Sequence, residues 1–170
     1  MLFRSGVVRV CHPSFLDFLN SEERAGSFWT DPATLNVKLF QQCLRLMNHN
    51  LRFNICQLNS AYVLNSEVRD LRERILANIP ESLQYSCVHW MDHLLSAEAP
   101  LAQEASVRAA IREFLRSIKS LFWLEALSLT KELKAGINAL GHCLRAYDVS
   151  VSPVYVMNGS NVIMIRMRNS

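Results

Sequence analysis

The 170-residue sequence contains little glycine and proline, five of each, and no long hydrophobic run. A chain that is 50% hydrophobic and poor in both residues is not disordered as a whole. Its best membrane candidate, Leu121 to Leu129, contains Glu125 and is far shorter than the roughly 18 residues of a spanning helix. The N-terminus lacks the small-residue cleavage site of a secretory signal. We therefore expect a globular, cytoplasmic chain with no membrane partner.

Charge and cysteine content exclude further classes. Eighteen Lys and Arg against 15 Asp and Glu give a net charge of +3, too small an excess to indicate nucleic acid. The five cysteines are widely spaced and form no C-x-x-C pair, which argues against a disulfide framework or a thiol metal site. Cys43, Cys87 and Cys143 lie in periodic apolar segments, so we predict core thiols in a reducing compartment.

Hydrophobic periodicity predicts an all-α fold, a bundle or array of about five longer helices. Asp31 followed by Pro32 predicts the start of the first helix, because Asp caps helices and Pro is favoured at the first position. Pro80 is predicted to end the second. Val68 and Ile118 are placed on inward stripes. The five predicted helices cover residues 32–48, 65–79, 81–96, 101–119 and 124–147.

The two ends of the chain show patterns other than those of long helices. Val7 to Cys11 is a β-branched run that predicts a strand, and Ser14 is predicted to cap the short helix that follows it. Residues 20–30 are polar and predicted to be a loop. Near the C-terminus, Asn158-Gly159 separates two apolar runs, which is a strong β-hairpin signal. Because a two-stranded ribbon alone is marginally stable, this tail is expected either to pack on the bundle as a hairpin or to be poorly ordered. These features divide the chain into residues 1–30, a helical region 31–148 and a tail 149–170.

Two patterns contain residues of nucleotide or metal sites without completing them. Gly136 and Gly141 have the spacing of a phosphate loop, but His142 and Cys143 follow where Lys and Ser or Thr are required. Close helix packing is the better interpretation. His89 and His93 are four residues apart on a predicted helix, a spacing that suits zinc. The sequence suggests no third ligand, so we predict a hydrogen-bonded pair and no metal.

Two further patterns point to catalysis or nucleic acid only weakly. His12, Ser14 and Asp17 are the residue types of a hydrolase triad, but lie too close in sequence to converge easily. We therefore predict no catalytic residues. A basic line follows the fourth predicted helix with no interleaved aromatic residues, so we favour a solvated face over nucleic-acid binding. The line consists of Arg108, Arg112, Arg116 and Lys119.

A series of motifs resembles one known family. Residues 12–19, HPSFLDFL, resemble the segment that follows the nucleotide-binding module in fungal NACHT-type NTPases of the STAND class, particularly those of basidiomycetes. Further matching pieces follow in the same order, and the resemblance covers roughly residues 7–147. They are GSFW at 26–29, CLRLM at 43–47, LRFNICQL at 51–58, IPESLQYSC at 79–87, Trp90 with His93-Leu94, and LFWLEALSL at 121–129.

The resemblance implies the end of a winged helix in residues 1–30, followed by a helical arm in residues 31–148. Such proteins are nucleotide switches that oligomerise, often with C-terminal WD repeats. His12 then corresponds to the histidine that senses bound diphosphate, which makes it the one candidate cofactor-binding residue, in the presence of an upstream nucleotide module. Cys11 and Pro13 depart from the usual Met or Leu and Asp around that histidine.

We therefore expect a non-enzymatic helical relay that packs against a NACHT module. The phosphate loop and the metal-binding acidic strand of the family are not found in this sequence, so the chain alone is expected to bind no cofactor, nucleic acid or small-molecule ligand. Its expected partner is the upstream module or another protein. Two alternatives stay open: a free-standing helical scaffold for protein–protein interaction, and a truncated gene model without independent function.

Overall fold

The computed structural model describes residues 12–60, 62–97, 105–146, 154–158 and 161–165, and it is mainly helical. The all-α prediction is confirmed. Two 3₁₀ turns, Gly26–Phe28 and Asn65–Glu67, lie between helices. The helices are α1 (Pro13–Leu19), α2 (Glu22–Ala25), α3 (Pro32–Asn50), α4 (Leu71–Asn78), α5 (Glu81–Ser96), α6 (Ala105–Arg116), α7 (Lys119–Leu129) and α8 (Leu133–Ala146).

Helix α3 begins where Asp31 and Pro32 predict. The Asp31 carboxylate accepts the Thr34 N–H at 2.8 Å, the Thr34 hydroxyl at 2.6 Å and the Ala33 N–H at 3.3 Å. These bonds satisfy donors that have no partner within the helix and lower the pKa of the Asp31 carboxyl. The helix then runs two residues beyond the predicted end at Asn48.

The core is organised around α5, which has the bounds the sequence predicts and contacts α3, α7 and α8. Trp90 of α5 lies at its centre and is fully buried. Its ring is stacked on Phe40 of α3 and meets Phe114 of α6 and Trp123 of α7 edge-on, with ring centroids 5.4 to 6.0 Å apart. Each such ring contributes about 1.5–3 kcal/mol through burial, so this cluster joins four helices.

The predicted helix over residues 124–147 is wrong, because a break divides it into α7 and α8. At the end of α7 the N–H of Glu132 donates to the carbonyl of Leu127 at 2.8 Å, and Lys131 N–H donates to Ser128 at 3.2 Å. This is a Schellman C-cap, in which the left-handed position is usually glycine. Here Lys131 occupies it with φ +66°, so the sequence carried no visible stop signal.

Two other predicted helices are shorter than expected. Residues 65–67 form a 3₁₀ turn instead of the first turn of α4, and Val68 follows it in an extended conformation, off the predicted stripe. Helix α6 ends at Arg116, where the Ser117 hydroxyl donates to the Phe114 carbonyl at 2.8 Å. The chain therefore turns before Ile118, which is exposed where an inward position was predicted. Residues 101–104 of that predicted helix lie outside the described residues.

The ends combine confirmed and corrected predictions. Helix α1 begins at Pro13, so Ser14 lies inside the helix and is not its cap. Residues 22–28, predicted as loop, form α2 and a 3₁₀ turn. Strands Val154–Asn158 and Asn161–Ile165 pair antiparallel, as the hairpin signal predicts. The predicted strand over residues 7–11 and the hairpin turn at 159–160 lie outside the described residues.

No helix in the described ranges has both the length and the apolar character needed to cross a membrane.

Candidate interaction surface

The loop of residues 51–58, which follows α3, is held in place by its own apolar side chains. Leu51, Ile55 and Cys56 are fully buried in the helical core. Phe53 lies between them in sequence but is 78% exposed. Other aromatic side chains, such as Phe28 and Tyr62, are also exposed, but Phe53 lies on a loop anchored by buried neighbours and beside further apolar residues, which makes this loop the candidate functional element.

The loop adopts a tight, left-handed path fixed by Asn54. Asn54 has φ +48° and Gln57 has φ +54°, a region that non-glycine residues rarely occupy. The Asn54 amide accepts the Leu58 N–H at 2.7 Å and donates to the Leu58 carbonyl at 2.9 Å. The Gln57 N–H also donates to the Asn54 carbonyl at 2.8 Å. These bonds set the direction in which Phe53 leaves the loop.

Three charged side chains from the helical region tie the loop backbone. Lys119, the first residue of α7, donates to the Leu51 carbonyl at 2.6 Å. Glu125, two turns along α7, accepts the Asn54 N–H at 3.2 Å. Arg74 of α4 donates to the Gln57 carbonyl at 2.6 Å and to the Cys56 carbonyl at 3.3 Å. The loop that follows α3 is therefore hydrogen-bonded to both α4 and α7.

The pKa values of Glu125 and Cys56 are shifted because Glu125 is half-buried and Cys56 is fully buried. Burial raises the pKa of the Glu125 carboxyl, and the N–H groups of Asn54 and Ile55 partly oppose that shift. Burial also raises the pKa of the Cys56 thiol, with a smaller contribution from the nearby Glu125 charge. Cys56 is therefore a packed thiol and not a reactive one.

Apolar residues at the start of α7 adjoin Phe53: Ile118, directly before the helix, and Leu121 are exposed, whereas Phe122 is half-buried against the core. The Phe53 and Phe122 ring centroids are 6.4 Å apart. Ile118 lies one turn before Phe122 and is 62% exposed, and Leu121 is 43% exposed. We call Phe53, Ile118, Leu121 and Phe122 the apolar patch. This patch was not predicted from the sequence, because Phe53 lies in a stretch with no helical period and Ile118 was placed on an inward stripe.

The predicted basic line has two different roles. Lys119 is engaged by the Leu51 carbonyl and so stabilises the C-terminal end of α3. Arg112 and Arg116 are exposed on consecutive turns of α6, as a solvated face predicts, whereas Arg108 is half-buried. Arg116, at the exposed end of the line, lies two residues before Ile118 in sequence.

His12 is exposed and lies immediately before α1. Its Nδ1 accepts the Ser14 N–H at 3.2 Å and lies 2.7 Å from the Ser14 hydroxyl oxygen. The imidazole therefore caps α1. His12 and Ser14 do meet, but Asp17 is on the following turn of the helix, and among the described residues its carboxylate forms no hydrogen bond with the imidazole. Nε2 of His12 is the ring atom that a partner can reach.

His89 and His93 have separate partners. His93 Nε2 lies 2.8 Å from the Tyr85 hydroxyl, and its Nδ1 lies 3.1 Å from Asn36 Oδ1. His89 Nδ1 lies 2.9 Å from Asp92 Oδ2. Both ring nitrogens of His93 are thus hydrogen-bonded, and so is Nδ1 of His89, in agreement with the prediction of two hydrogen-bonded histidines. No group of three potential metal ligands is present among the described residues.

The glycines and cysteines of the helical region are structural. Gly136 is buried, and a Cβ added there would overlap Leu127 Cδ1, so α7 and α8 approach closely at this point. Gly141 has room for a methyl group. Cys43 and Cys87 are buried free thiols, and burial raises the pKa of Cys87 to about 12. The side chain of Cys143 lies outside the described part.

An open cleft of about 630 Å³ lies between α3 and α6. Its polar lining includes Arg45, His49, Glu113 and Lys119. The Lys119 ammonium is already bound to the Leu51 carbonyl, and the remaining charges are mixed in sign. This cleft therefore offers no converging set of groups for a small molecule.

The structure thus defines an all-α helical array with an anchored, exposed apolar patch. In comparisons with known proteins, the chain is 30% identical over 174 aligned residues to the vegetative incompatibility protein HET-E-1 of Podospora anserina. The alignment covers 89% of this chain but 12% of that relative. No family model and no solved structure matches the chain. This similarity supports a NACHT-related fungal protein over most of the chain's length.

Proposed function

We propose that the chain is a non-enzymatic helical relay and interaction segment of a NACHT-type signalling protein, which packs against the nucleotide switch module. The observation that carries this proposal is the exposure of Phe53 on a loop tied to α7 and α4 by charged side chains. A surface aromatic anchored to a rigid base is typical of protein–protein contact points. The relationship to a vegetative incompatibility protein supports a signalling context in the cytoplasm.

The relay would work through the hydrogen bonds that connect the loop backbone to α7. A partner that presses on Phe53 displaces the Asn54 and Leu51 backbone, which Glu125 and Lys119 connect to α7. Helix α7 also carries Trp123, a member of the central aromatic cluster. A shift of the loop therefore changes packing at the core, the kind of contiguous network through which two sites become coupled.

Residues 1–30 enter the proposal as the end of a winged helix, and His12 as a contact to diphosphate on an upstream module. The exposed Nε2 of His12 is free to donate to a phosphate oxygen in the tautomer in which Nδ1 accepts from Ser14. Residues 31–148 then form the arm. The chain itself would neither bind nor hydrolyse nucleotide, because Gly136 packs against Leu127 inside a helical region and offers no backbone cradle to a phosphate.

Association with a nucleotide module tests the proposal. The NACHT module of a fungal incompatibility protein is purified, loaded with ADP or with a slowly hydrolysed ATP analogue, and titrated calorimetrically with the chain. We expect binding in one nucleotide state to exceed that in the other by at least about tenfold, or about 1.4 kcal/mol. Phe53→Ser should weaken that binding, and the equally exposed Phe28→Ser should not.

Two results would contradict the relay. Equal affinity in both nucleotide states favours the alternative of a free-standing interaction scaffold, since a ligand without differential affinity shifts no equilibrium. Micromolar binding of ATP or ADP to the chain alone would overturn the non-enzymatic assignment.

A further inference from the structure

The apolar patch has a shape that fits a helix. Ile118, Leu121 and Phe122 have the i, i+3, i+4 spacing of one face of a helix. The N–H groups of Leu121 and Phe122 both donate to the Ile118 carbonyl, so the three residues belong to one continuous turn. The Phe53 ring lies beside the Phe122 ring, at the edge of this row. An apolar row with an aromatic side chain along its edge can accommodate a second helix whose own apolar residues have the same spacing.

Three exposed arginines adjoin the patch residues in sequence. Arg52 precedes Phe53, and Arg112 and Arg116 precede Ile118 at the end of α6; all three are exposed. In the described ranges, neither of the two ion pairs involves these guanidinium groups. Arg52 donates to the neutral Asn78 side chain at 3.2 Å, which leaves its charge uncompensated.

The carboxylates nearest in sequence do not neutralise these arginines. Glu125 accepts the Asn54 N–H and lies half-buried beneath the loop, so it does not face a partner. Glu113, between the two arginines in sequence, lines the cleft toward α3. Three exposed arginines close in sequence to an apolar row favour a partner with negative charge at the edges of an apolar stripe.

We propose that the apolar patch binds an acidic amphipathic helix, with apolar anchors at i, i+3 or i+4, and i+7, and Glu or Asp on both flanks. This inference rests on the proposed function and specifies the chemistry of the partner. The aromatic and aliphatic row supplies the contact area, and the arginines select the charge and orientation of the helix. The guanidinium groups suit carboxylates because they form paired hydrogen bonds with them.

Designed peptides provide the test. Each is about 14 residues, roughly 21 Å as a helix, with Leu anchors and either Glu or Lys on the flanks. A third peptide has the Glu composition in scrambled order. Binding to the full chain is followed by fluorescence anisotropy. We expect the acidic amphipathic peptide to bind at least about tenfold more tightly than the other two, and its affinity to fall with added salt.

Variants of the chain then assign the site. Phe53→Ser, and separately Arg112→Glu with Arg116→Glu, should each weaken binding of the acidic peptide by about tenfold or more. Phe28→Ser is the matched control, since Phe28 is 76% exposed and Phe53 78% exposed. It should leave the affinity unchanged. Circular dichroism confirms that each variant is folded, and all four positions are on the surface.

The outcomes separate this inference from the proposed function. Equal binding of the Glu and Lys peptides, or acidic-peptide binding that survives Phe53→Ser, would overturn it. Tighter binding of a single-stranded oligonucleotide would replace a helix with nucleic acid as the occupant. Self-association lost in Phe53→Ser, without peptide binding, would replace it with a second copy of the chain. If a NACHT module binds through Phe53 and the acidic peptide does not bind, the proposed function stands and this inference is contradicted. If the acidic peptide binds and the NACHT module does not, only the proposed function is contradicted.

Discussion

The indole N–H of Trp123 donates to the carbonyl oxygen of Cys87 at 2.8 Å, and this buried bond joins α7 to α5. The neighbouring Trp90 is buried just as deeply, but its indole N–H has no acceptor in the part of the chain that the structure describes. Two tryptophans in edge contact therefore differ in one hydrogen bond, which permits a matched comparison.

We predict that Trp123→Phe destabilises the fold by about 1–2 kcal/mol more than Trp90→Phe, because only Trp123 loses a hydrogen bond and leaves a buried carbonyl without that donor. Urea unfolding followed by circular dichroism measures the difference. Trp90→Phe removes a similar volume and serves as the control for the cavity. Equal losses at both positions would mean that the Trp123 bond contributes nothing.

Truncation of either ring should cost much more. Trp123→Ala and Trp90→Ala are each expected to lower the free energy of unfolding by about 3–5 kcal/mol, because a large cavity opens between four helices. Arg112→Ala, at an exposed position of α6, should change it by no more than about 0.5 kcal/mol. Comparable losses at Arg112 and Trp123 in the same urea titration would contradict the observed helix faces.

A pair of glycines in α8 gives opposite predictions. Gly136→Ala should destabilise the fold by about 1–3 kcal/mol, because the new methyl group overlaps the buried Leu127 side chain. Gly141→Ala should stabilise it by about 0.5–1 kcal/mol, since alanine is the better helix former. The nearest atom to the new methyl group is 3.5 Å away, on Arg145. Thermal denaturation of the two variants shows whether the signs differ as expected.

Helix bounds were predicted correctly where a residue type, such as Asp or Pro, marks the start or the end of a helix. The Asp31 cap gave the correct start of α3, and Pro80 correctly separates α4 from α5, which begins at Glu81. The prediction failed where a helix ends through tertiary geometry. Lys131 takes a left-handed conformation that sequence statistics assign to glycine, and the Ser117 hydroxyl ends α6 by a bond that many helical serines also make.

The candidate surface was less predictable than the fold. Phe53 resembles a core residue by its type, and its exposure follows from the Asn54 turn and the Glu125 tie, which join residues distant in sequence. Ile118 was placed on an inward stripe because a continuous helix was assumed. A patch built from a loop and a helix start has no single periodicity, so no window of the sequence reveals it.

The His93 side chain predicts a pH-dependent connection between α5 and α3. The Asn36 amide donates to the Pro32 carbonyl at 3.0 Å, so its oxygen faces His93 Nδ1–H, and Nε2 then accepts from Tyr85. Burial lowers the pKa of His93, and the neighbouring His89 lowers it further, against a smaller opposing effect of Asp92. The fold therefore holds His93 in its neutral form.

Because the folded-state pKa lies below the ordinary value of 6.5, the unfolded chain takes up the proton first as pH falls. We expect the free energy of unfolding to decrease as pH drops below about 6.5, and His93→Gln to reduce this dependence. Urea titrations between pH ~7.5 and ~5 measure the effect. His89→Gln is the control on the same helix and should retain most of the dependence. An unchanged slope in His93→Gln would contradict the assignment.

Glu125 should produce the opposite pH dependence. Burial raises the pKa of this carboxyl above its ordinary value of 4.5, so the folded chain holds the proton more tightly than the unfolded chain. Its stabilising contribution is present below about pH 4.5 and is lost as pH rises through the folded-state pKa. Glu125→Gln, which keeps an oxygen that can accept the Asn54 N–H, should remove this loss. Glu113→Gln, at an exposed position of α6, is the control and should not remove it.

His12 is the remaining candidate, and its two roles can be separated by context. In the chain alone, His12→Ala removes the Nδ1 acceptor from the Ser14 N–H and should cost only about 0.5–1 kcal/mol, mostly as fraying of α1. His12→Asn restores a capping side chain and should recover that loss. Neither substitution should affect the helical core, whose buried cluster begins at Phe40.

When the chain is joined to an upstream nucleotide module, the two substitutions should have a second effect. A phosphate oxygen bound by His12 Nε2–H would lose its donor in both variants, because an Asn that caps α1 through its side-chain oxygen has no ring nitrogen on the far side to donate outward. We expect ADP to dissociate faster from both variants, and the open state of the switch to become more populated. Stopped-flow release of a fluorescent ADP analogue measures this rate. Capping alone predicts that His12→Asn behaves as the wild type does; if it releases ADP at the wild-type rate, His12 is a helix cap and the relay loses its proposed contact with the nucleotide.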